Sequence, residues 1–345
     1  MAGMSGLSAM DSLVFRLPPF LFTVFCLTWS IPIFSLTHSL EWLNLWRKRN
    51  DVLGWSKGMK SIYRFKVLKV GKRDLYRDKV VYLCNHRSWA DFMVDQYVTE
   101  GRTLFMSRWA VAYVFPLFMI PMWFVRAVLI FRRGSIANKV KFNKWIDDEW
   151  GKSTQTALGV YPEGHRSTNG ESLPLKRGML HYAYDRKIPV QIVIGGNKEA
   201  ILSEKKMLVG FGQTVTVGYS DVIYPENFKD FEEFMKAVQS TWDTEWVEVF
   251  SADWKDLNEL PDPEPFRYLP LRNALILLLV CPVEIAILLA LIWSVVKMVG
   301  GAYVAIASPW NSILGVLFVA YIVLSFSLAG RPARNIYHID SKKKN

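Results

Sequence analysis

The sequence predicts an α/β fold: a single domain with helices on a mixed sheet, joined to an N-terminal membrane helix region and a C-terminal transmembrane hairpin. Three observations predict it. Uncharged apolar blocks long enough to enter a bilayer lie near the two ends of the chain. Between them, short β-rich runs alternate with amphipathic stretches. Charged and turn-forming motifs recur where those runs end.

The 345 residues are 51% hydrophobic, yet carry 42 Lys+Arg against 31 Asp+Glu, a formal net charge of +11. That apolar content excludes disorder, and glycine and cysteine are too sparse for a collagen or a disulfide scaffold. Long apolar blocks in a basic framework suit an anionic lipid surface, phosphorylated ligands, or both. Cys26, Cys84 and Cys281 lie far apart in apolar runs and read as reduced, buried thiols.

No charged residue occurs from Leu17 to Leu40, one acid (Glu284) interrupts Ala274 to Val296, and Met298 to Gly330 is again uncharged. A span needs roughly 20 apolar residues, so each block is long enough. No Lys/Arg-rich leader or small-residue cleavage site precedes the first block, which is therefore expected to be an anchor. Glu41 to Arg49 pairs Trp42 and Trp46 with a basic triplet, the pattern of an interfacial helix. Arg267 and Arg272 precede the C-terminal pair, and Arg331, Arg334 and Lys342 to Lys344 follow it, placing both ends of the hairpin on the cytosolic side. Glu284 is expected to face a partner helix or a polar path. A fourth stretch, Trp109 to Phe131, contains Pro116 and Pro121 and meets Arg126, so it is read as packing against the soluble domain. Composition thus divides the chain into 1–60, an anchor and interfacial helix; 61–268, the α/β domain; and 269–345, the hairpin and basic tail.

Within the domain the expected strands are Tyr63 to Val70, Lys79 to Cys84, Thr103 to Met106, Val128 to Phe131, Leu158 to Tyr161, Val190 to Ile194 and Val215 to Tyr219. Helical patterns fill Trp89 to Thr99, Ile136 to Trp150, Gly178 to Arg186 and Phe228 to Phe250. Leu260 to Pro265, with a proline at every second position, reads as a stiff linker.

The run ending at Cys84 leads into Asn85-His86-Arg87-Ser88-Trp89-Ala90-Asp91. A histidine and an aspartate five residues apart suit a general base and its orienting carboxylate under one condition. On a regular helix five residues turn 500°, leaving the side chains about 140° apart. They meet only if His86 lies on an irregular entry and Asp91 in the first turns of the helix. Asn85 or Ser88 is then the expected N-cap. Asp91 on Nδ1–H would fix the tautomer and leave Nε2 as the base. Three further motifs follow in order: Arg132-Arg133-Gly134 after Phe131, Pro162-Glu163-Gly164-His165-Arg166 after Tyr161, and Ile188-Pro189-Val190 before a strand. All are expected at strand exits, where an α/β sheet gathers its ligand.

Over residues 80–195 these four blocks resemble the glycerolipid acyltransferase family, in particular the 1-acylglycerol-3-phosphate (lysophosphatidate) acyltransferases of the eukaryotic endoplasmic reticulum. The resemblance implies that His86, with Asp91, is the catalytic base. It implies acceptor contacts for Arg133, Glu163, Gly164 and Arg166, and matches Pro189 to the fourth block. The implied reaction moves an acyl group from acyl-CoA to the sn-2 hydroxyl of lysophosphatidate, giving phosphatidate. Acyl-CoA is then a co-substrate, with no metal or other cofactor and no nucleic acid partner. The implied location is the endoplasmic reticulum membrane with the domain cytosolic. Ala127, Arg132 and His165 depart from the usual block residues, and they bear on the acceptor headgroup. Two alternatives stay open: the same chemistry on another lysophospholipid or glycerol 3-phosphate, and a non-catalytic membrane lipid-binding protein.

Overall fold

The computed structural model describes residues 13–40, 50–124, 126–132, 138–167, 170–265, 271–306 and 308–330. The expected interfacial helix, Arg133 and Gly134, Arg267 and the basic tail from Arg331 lie outside them. In chain order the elements are α1 (Leu13–Leu40), α2 (Asp51–Tyr63), β1 (Lys66–Val70), β2 (Val80–Cys84), α3 (Asp91–Val98), β3 (Thr103–Arg108), α4 (Trp109–Val114) and α5 (Pro116–Phe124). There follow β4 (Val128–Phe131), α6 (Lys139–Gly151), β5 (Ala157–Val160), α7 (Arg177–Asp185), β6 (Val190–Gly196), α8 (Lys198–Ile201), β7 (Leu202–Ser203) and β8 (Leu208–Val209). The remainder are β9 (Thr214–Tyr219), α9 (Phe231–Ser251), β10 (Asn258–Glu259), α10 (Leu271–Ala305) and α11 (Trp310–Ala329).

Eight strands form one mixed sheet in the order β10-β1-β9-β6-β2-β5-β3-β4. From β6 to β4 the five neighbours run parallel, so their C-terminal ends share one edge. β9 runs antiparallel to β6 and parallel to β1, and β10 is antiparallel to β1. Central parallel strands are covered on both faces, which is why β2 is apolar throughout and wholly buried. Its side chains alternate between two cores. Val80, Tyr82 and Cys84 join residues of α2, α3 and α5, while Val81 and Leu83 join residues of α6, α7 and α9.

Sequence and structure part company at Tyr63. The expected strand begins only at Lys66, because Tyr63 closes α2 and Arg64 turns the chain with φ 52°. Helix α2 straddles the 60/61 boundary and buries Val52, Leu53, Trp55, Met59 and Tyr63. Asn50 starts it: its Oδ1 accepts from Leu53 N–H at 3.1 Å, and its amide donates to Gly101 O at 3.0 Å. The proline-spaced stretch is likewise no free spacer. Leu260 N–H donates to Val67 O at 2.8 Å, Asp262 accepts from Lys60 and Tyr97, and Lys57 reaches Pro263 O at 3.2 Å.

Among the described residues three helices are long and apolar enough to cross a membrane, over Leu13–Ile33, Leu275–Ala305 and Trp310–Ala329. Helix α1 packs on α5, α10 and α11, so the C-terminal pair meets the N-terminal helix, and α10 also packs on α5. Glu284 shares a buried stripe of α10 with Leu277, Cys281 and Leu288; α10 packs on α1 and α5. Phe211 N–H donates to Ala329 O at 3.0 Å and Trp55 Nε1 to Ser30 Oγ at 2.8 Å, tying α11 and α1 to the domain. The Trp109 to Phe131 stretch splits into α4 and α5, and Phe118, Met119 and Met122 are buried in the core.

Asn50→Ala removes the cap of α2 and its tie to Gly101 together. A loss of about 1–2 kcal/mol is expected, read as a lower unfolding temperature in detergent.

Candidate active site

At the parallel edge β2 runs into an irregular segment, and α3 begins at Asp91. This is the geometry the five-residue spacing demands. His86 Nδ1–H donates to Asp91 Oδ2 at 2.6 Å. The same oxygen accepts the backbone N–H groups of Arg87 at 2.6 Å and Ser88 at 3.0 Å, so the loop is wound around one carboxylate oxygen. The capping expectation is not met, since Ala90 holds the N-cap position without a side-chain cap bond. Ser88 Oγ accepts from Ala90 N–H at 3.1 Å, but Asn85 instead pairs with Gly195 of β6, donating at 2.9 Å and accepting at 2.8 Å.

Beneath the loop sits Lys198, fully buried in the short turn α8. Its Nζ lies 3.3 Å from Asp91 Oδ1, donates to Asp95 at 3.0 and 3.1 Å, and donates to Asn85 O at 2.7 Å. Gly195 makes room for this, since a Cβ there would lie 2.9 Å from Lys198 Cδ. One ammonium serves two carboxylates, and their proton affinities separate. Burial works upward on Asp91, but Lys198, the His86 hydrogen bond and the Arg87 N–H hold it below its ordinary value. Burial pushes Asp95 up to about 7, with the Asp91 charge adding to the rise and Lys198 opposing it. Asp95 also accepts from Tyr161 OH at 2.9 Å. The Tyr161 ring stacks on His86, with centroids 4.2 Å apart and planes 13° apart, and on Phe105 at 5.3 Å.

The next residue of α8 grips the loop from the other face. Glu199 accepts from Arg87 at 2.5 and 3.2 Å, and the guanidinium lies over Trp246 and Phe250 of α9 at 5.5 and 5.1 Å.

Beside β2, the end of β5 carries the third motif. Glu163 Oε1 accepts from His86 N–H at 2.7 Å, and Ser167 N–H donates to His86 O at 2.9 Å. Burial pushes the Glu163 carboxyl up to about 7, against the His86 N–H and the nearby Lys198 and Arg87 charges. Gly164 turns with φ 77°, the left-handed region that glycine enters freely. Its carbonyl accepts from Arg108 at 3.3 Å. His165 is exposed, and Arg166 pairs with Glu204. Further along the edge, Arg108 lies beside Phe131 in register, and Arg132 follows it. The strand ends therefore present an imidazole and then, in strand order, the arginines at or after the ends of β5, β3 and β4. Immediately after Arg108, α4 exposes Trp109, Tyr113 and Val114. A basic surface and an exposed apolar one adjoin here.

Residues 66–194 match the family model described as Acyltransferase. The chain is 29% identical over 155 residues to a Saccharomyces cerevisiae protein named 1-acyl-sn-glycerol-3-phosphate acyltransferase, covering 43% of this chain and 48% of that one. The human protein named 1-acyl-sn-glycerol-3-phosphate acyltransferase beta is 24% identical over 177 residues, 50% of this chain and 62% of its own. The chain thus matches about half the length of the yeast relative and less than two thirds of the human one. The fold over 70% of this chain is also that of PlsC, the 1-acyl-sn-glycerophosphate (LPA) acyltransferase of Thermotoga maritima. That crystal structure superposes with a TM-score of 0.51 at 18% identity, over 70% of this chain and 97% of PlsC.

The structure brings His86, Asp91, Glu163, Gly164 and Arg166 to one end of the sheet. Pro189 is not with them. It precedes β6, whose Val190 pairs with Val81 and whose Val193 pairs with Cys84, so Pro189 lies at the opposite edge from His86. There its carbonyl accepts from Val81 N–H at 2.9 Å. The expectation of a strand exit fails because the motif opens a strand that runs parallel to β2. Sequence reasoning missed Asp95, Lys198, Glu199, Arg108 and Glu204. Asp95 had a signal, standing four residues after Asp91 on one helix face. Lys198-Glu199 had another, as opposite charges directly after an apolar strand.

Lys198→Met leaves two buried carboxylates without their cation and is expected to cost about 3–5 kcal/mol of stability. Adding Asp95→Asn removes the more easily protonated of the two and should recover part of that loss. Additive losses in thermal unfolding of the double variant would count against the arrangement.

Glu163→Gln tests the raised carboxyl. Between its ordinary 4.5 and about 7 the folded chain holds a proton that the unfolded chain has released. Stability from this group therefore falls as pH rises through that window and is regained on acidification. Wild type should lose up to roughly 3 kcal/mol relative to the Gln variant between pH 5 and 8; a pH-independent offset would contradict it.

Proposed function

We propose that the protein is a membrane-bound lysophosphatidate acyltransferase, moving a fatty acyl group from acyl-CoA to the sn-2 hydroxyl of lysophosphatidate and giving phosphatidate. One observation carries the reading. Asp91 engages His86 Nδ1 at 2.6 Å, no described residue bonds Nε2, and the His86 side chain keeps 27% of its exposure. The family match supports the reaction class, and the names of the yeast and human relatives support the acceptor.

In this mechanism His86 Nε2 takes the proton of the acceptor hydroxyl as its oxygen attacks the thioester carbonyl. The tetrahedral oxyanion collapses, the C–S bond breaks, and the CoA thiolate leaves and takes up the proton from the imidazolium. Asp91 holds the tautomer and balances the imidazolium charge. Arg133 and Arg166 hold the acceptor phosphate in forked hydrogen bonds, with Glu163 and Gly164 shaping the turn between. Arg108, in register with Phe131 and donating to Gly164 O, joins them. Acyl-CoA is the co-substrate, and no other cofactor takes part. The basic flanks of the C-terminal pair support an endoplasmic reticulum membrane protein with this domain on the cytosolic face.

The test is acyl transfer from labelled acyl-CoA by the detergent-solubilised protein, with lysophosphatidate and other lysophospholipids in competition. Phosphatidate is the expected main product, and His86→Ala should lower turnover by about 10²–10⁴-fold. A different acylated lipid would keep the chemistry and move the acceptor, with Arg132 and His165 as the responsible residues. No His86-dependent product would leave a lipid-binding protein.

A further inference from the structure

Glu204 has no place in the mechanism above, yet it reaches the centre of the site. It lies in the single turn joining β7 to β8, a hairpin packed on α1, where Arg16 donates to Lys206 O at 3.2 Å. From there its carboxylate spans two motifs. Oε1 pairs with the Arg166 guanidinium, and Oε2 accepts from Trp89 N–H at 3.2 Å. Trp89 belongs to the loop between His86 and Asp91. Its side chain is fixed in turn, stacked at 6.2 Å on Phe20 of α1 and edge-on to Phe115 at 5.1 Å.

A carboxylate and a phosphate both offer an arginine anionic oxygens, and here one carboxylate oxygen, Oε1 of Glu204, takes the guanidinium. On the reading above, Arg166 is a ligand for the acceptor phosphate. Its guanidinium is already engaged by a carboxylate fixed to the site by the chain itself. We propose that Glu204 is a specificity-determining residue that stands in for the acceptor phosphate on Arg166, so that a phosphorylated acceptor binds by exchange with it. A phosphate monoester carries about −1.5 to −2 charges at pH 7 and meets the whole row of guanidinium groups. It therefore displaces a single carboxylate. An anion that meets Arg166 alone gains nothing by the exchange. At a basic surface beside a membrane, the device keeps the guanidinium row from holding whatever anion arrives first. Glu204 keeps its bond to Trp89 N–H when Arg166 is taken, so the loop carrying His86 stays in place during the exchange.

The proposal rests on the assignment of Arg166 to acceptor phosphate, and its test separates the two. Glycerol 3-phosphate, the soluble headgroup of the acceptor, is titrated calorimetrically into wild type, Glu204→Gln, Arg166→Gln and the double variant. Gln keeps a carbonyl for Trp89 N–H and the same shape, and unfolding temperatures check that the fold is retained. Glu204→Gln is expected to bind glycerol 3-phosphate roughly three- to tenfold more tightly than wild type. The gain should vanish on the Arg166→Gln background. In turnover, the same variant should show a lower KM for lysophosphatidate with kcat retained. Equal, weaker or undetectable binding by Glu204→Gln overturns the proposal and makes Glu204 an orienting ion pair. A gain that survives Arg166→Gln overturns it too. If wild type acylates no phosphorylated acceptor, the functional reading fails, whatever the titration shows.

Discussion

A single buried ammonium group underlies the site. Asp91 and Asp95 are each 1% exposed, and two carboxylates so placed are tolerable only with a cation between them. Lys198 supplies it, and in doing so joins three pieces of chain that are distant in sequence. It touches the end of β2 through Asn85 O, both acids of α3, and its own turn after β6. The consequences reach the imidazole by two routes. Asp91 grips the ring nitrogen, and Asp95 anchors the hydroxyl of Tyr161, whose ring lies flat against the histidine.

The parts of this architecture that local rules govern were legible in the sequence. Central strands such as β2 are apolar throughout because both faces are covered, and the run from Val80 to Cys84 shows it without any partner strand in view. The His86–Asp91 pair was legible for a stricter reason, since its spacing works only at an irregular helix entry. Legibility ended where meaning depends on which strands adjoin. Pro189 stands in the right chain order, but chain order does not say at which end of the sheet a residue lies. Lys198 meets Asp95 across more than a hundred residues, and no spacing rule connects them. Helix α2 was hidden in another way. Gly54 and Gly58 lower its helix propensity, and its last residue, Tyr63, begins a run that also suits a strand.

The apolar helices are more than tethers. Phe20 of α1 stacks on Trp89, a residue of the loop that carries His86, and α5 packs on both α1 and α10. Phe211, in the loop before β9, touches Tyr63, Phe22 and Phe326, rings from α2, α1 and α11. The segments long enough to cross a bilayer therefore bear on the site directly, through aromatic faces. The exposed aromatic shelf of α4 continues that apolar surface up to the guanidinium row.

The turn α8 has one more property. Lys198 and Glu199 are neighbours of opposite sign that face opposite sides of the same loop, the first toward two aspartates and the second toward Arg87. Sliding the chain by one position would set a carboxylate against two carboxylates, or an ammonium against a guanidinium. Both alignments are repulsive in a place without water to soften them. The pair thus works as a keyed joint: the strand that precedes it seats in one frame only, and the imidazole inherits its position from that frame.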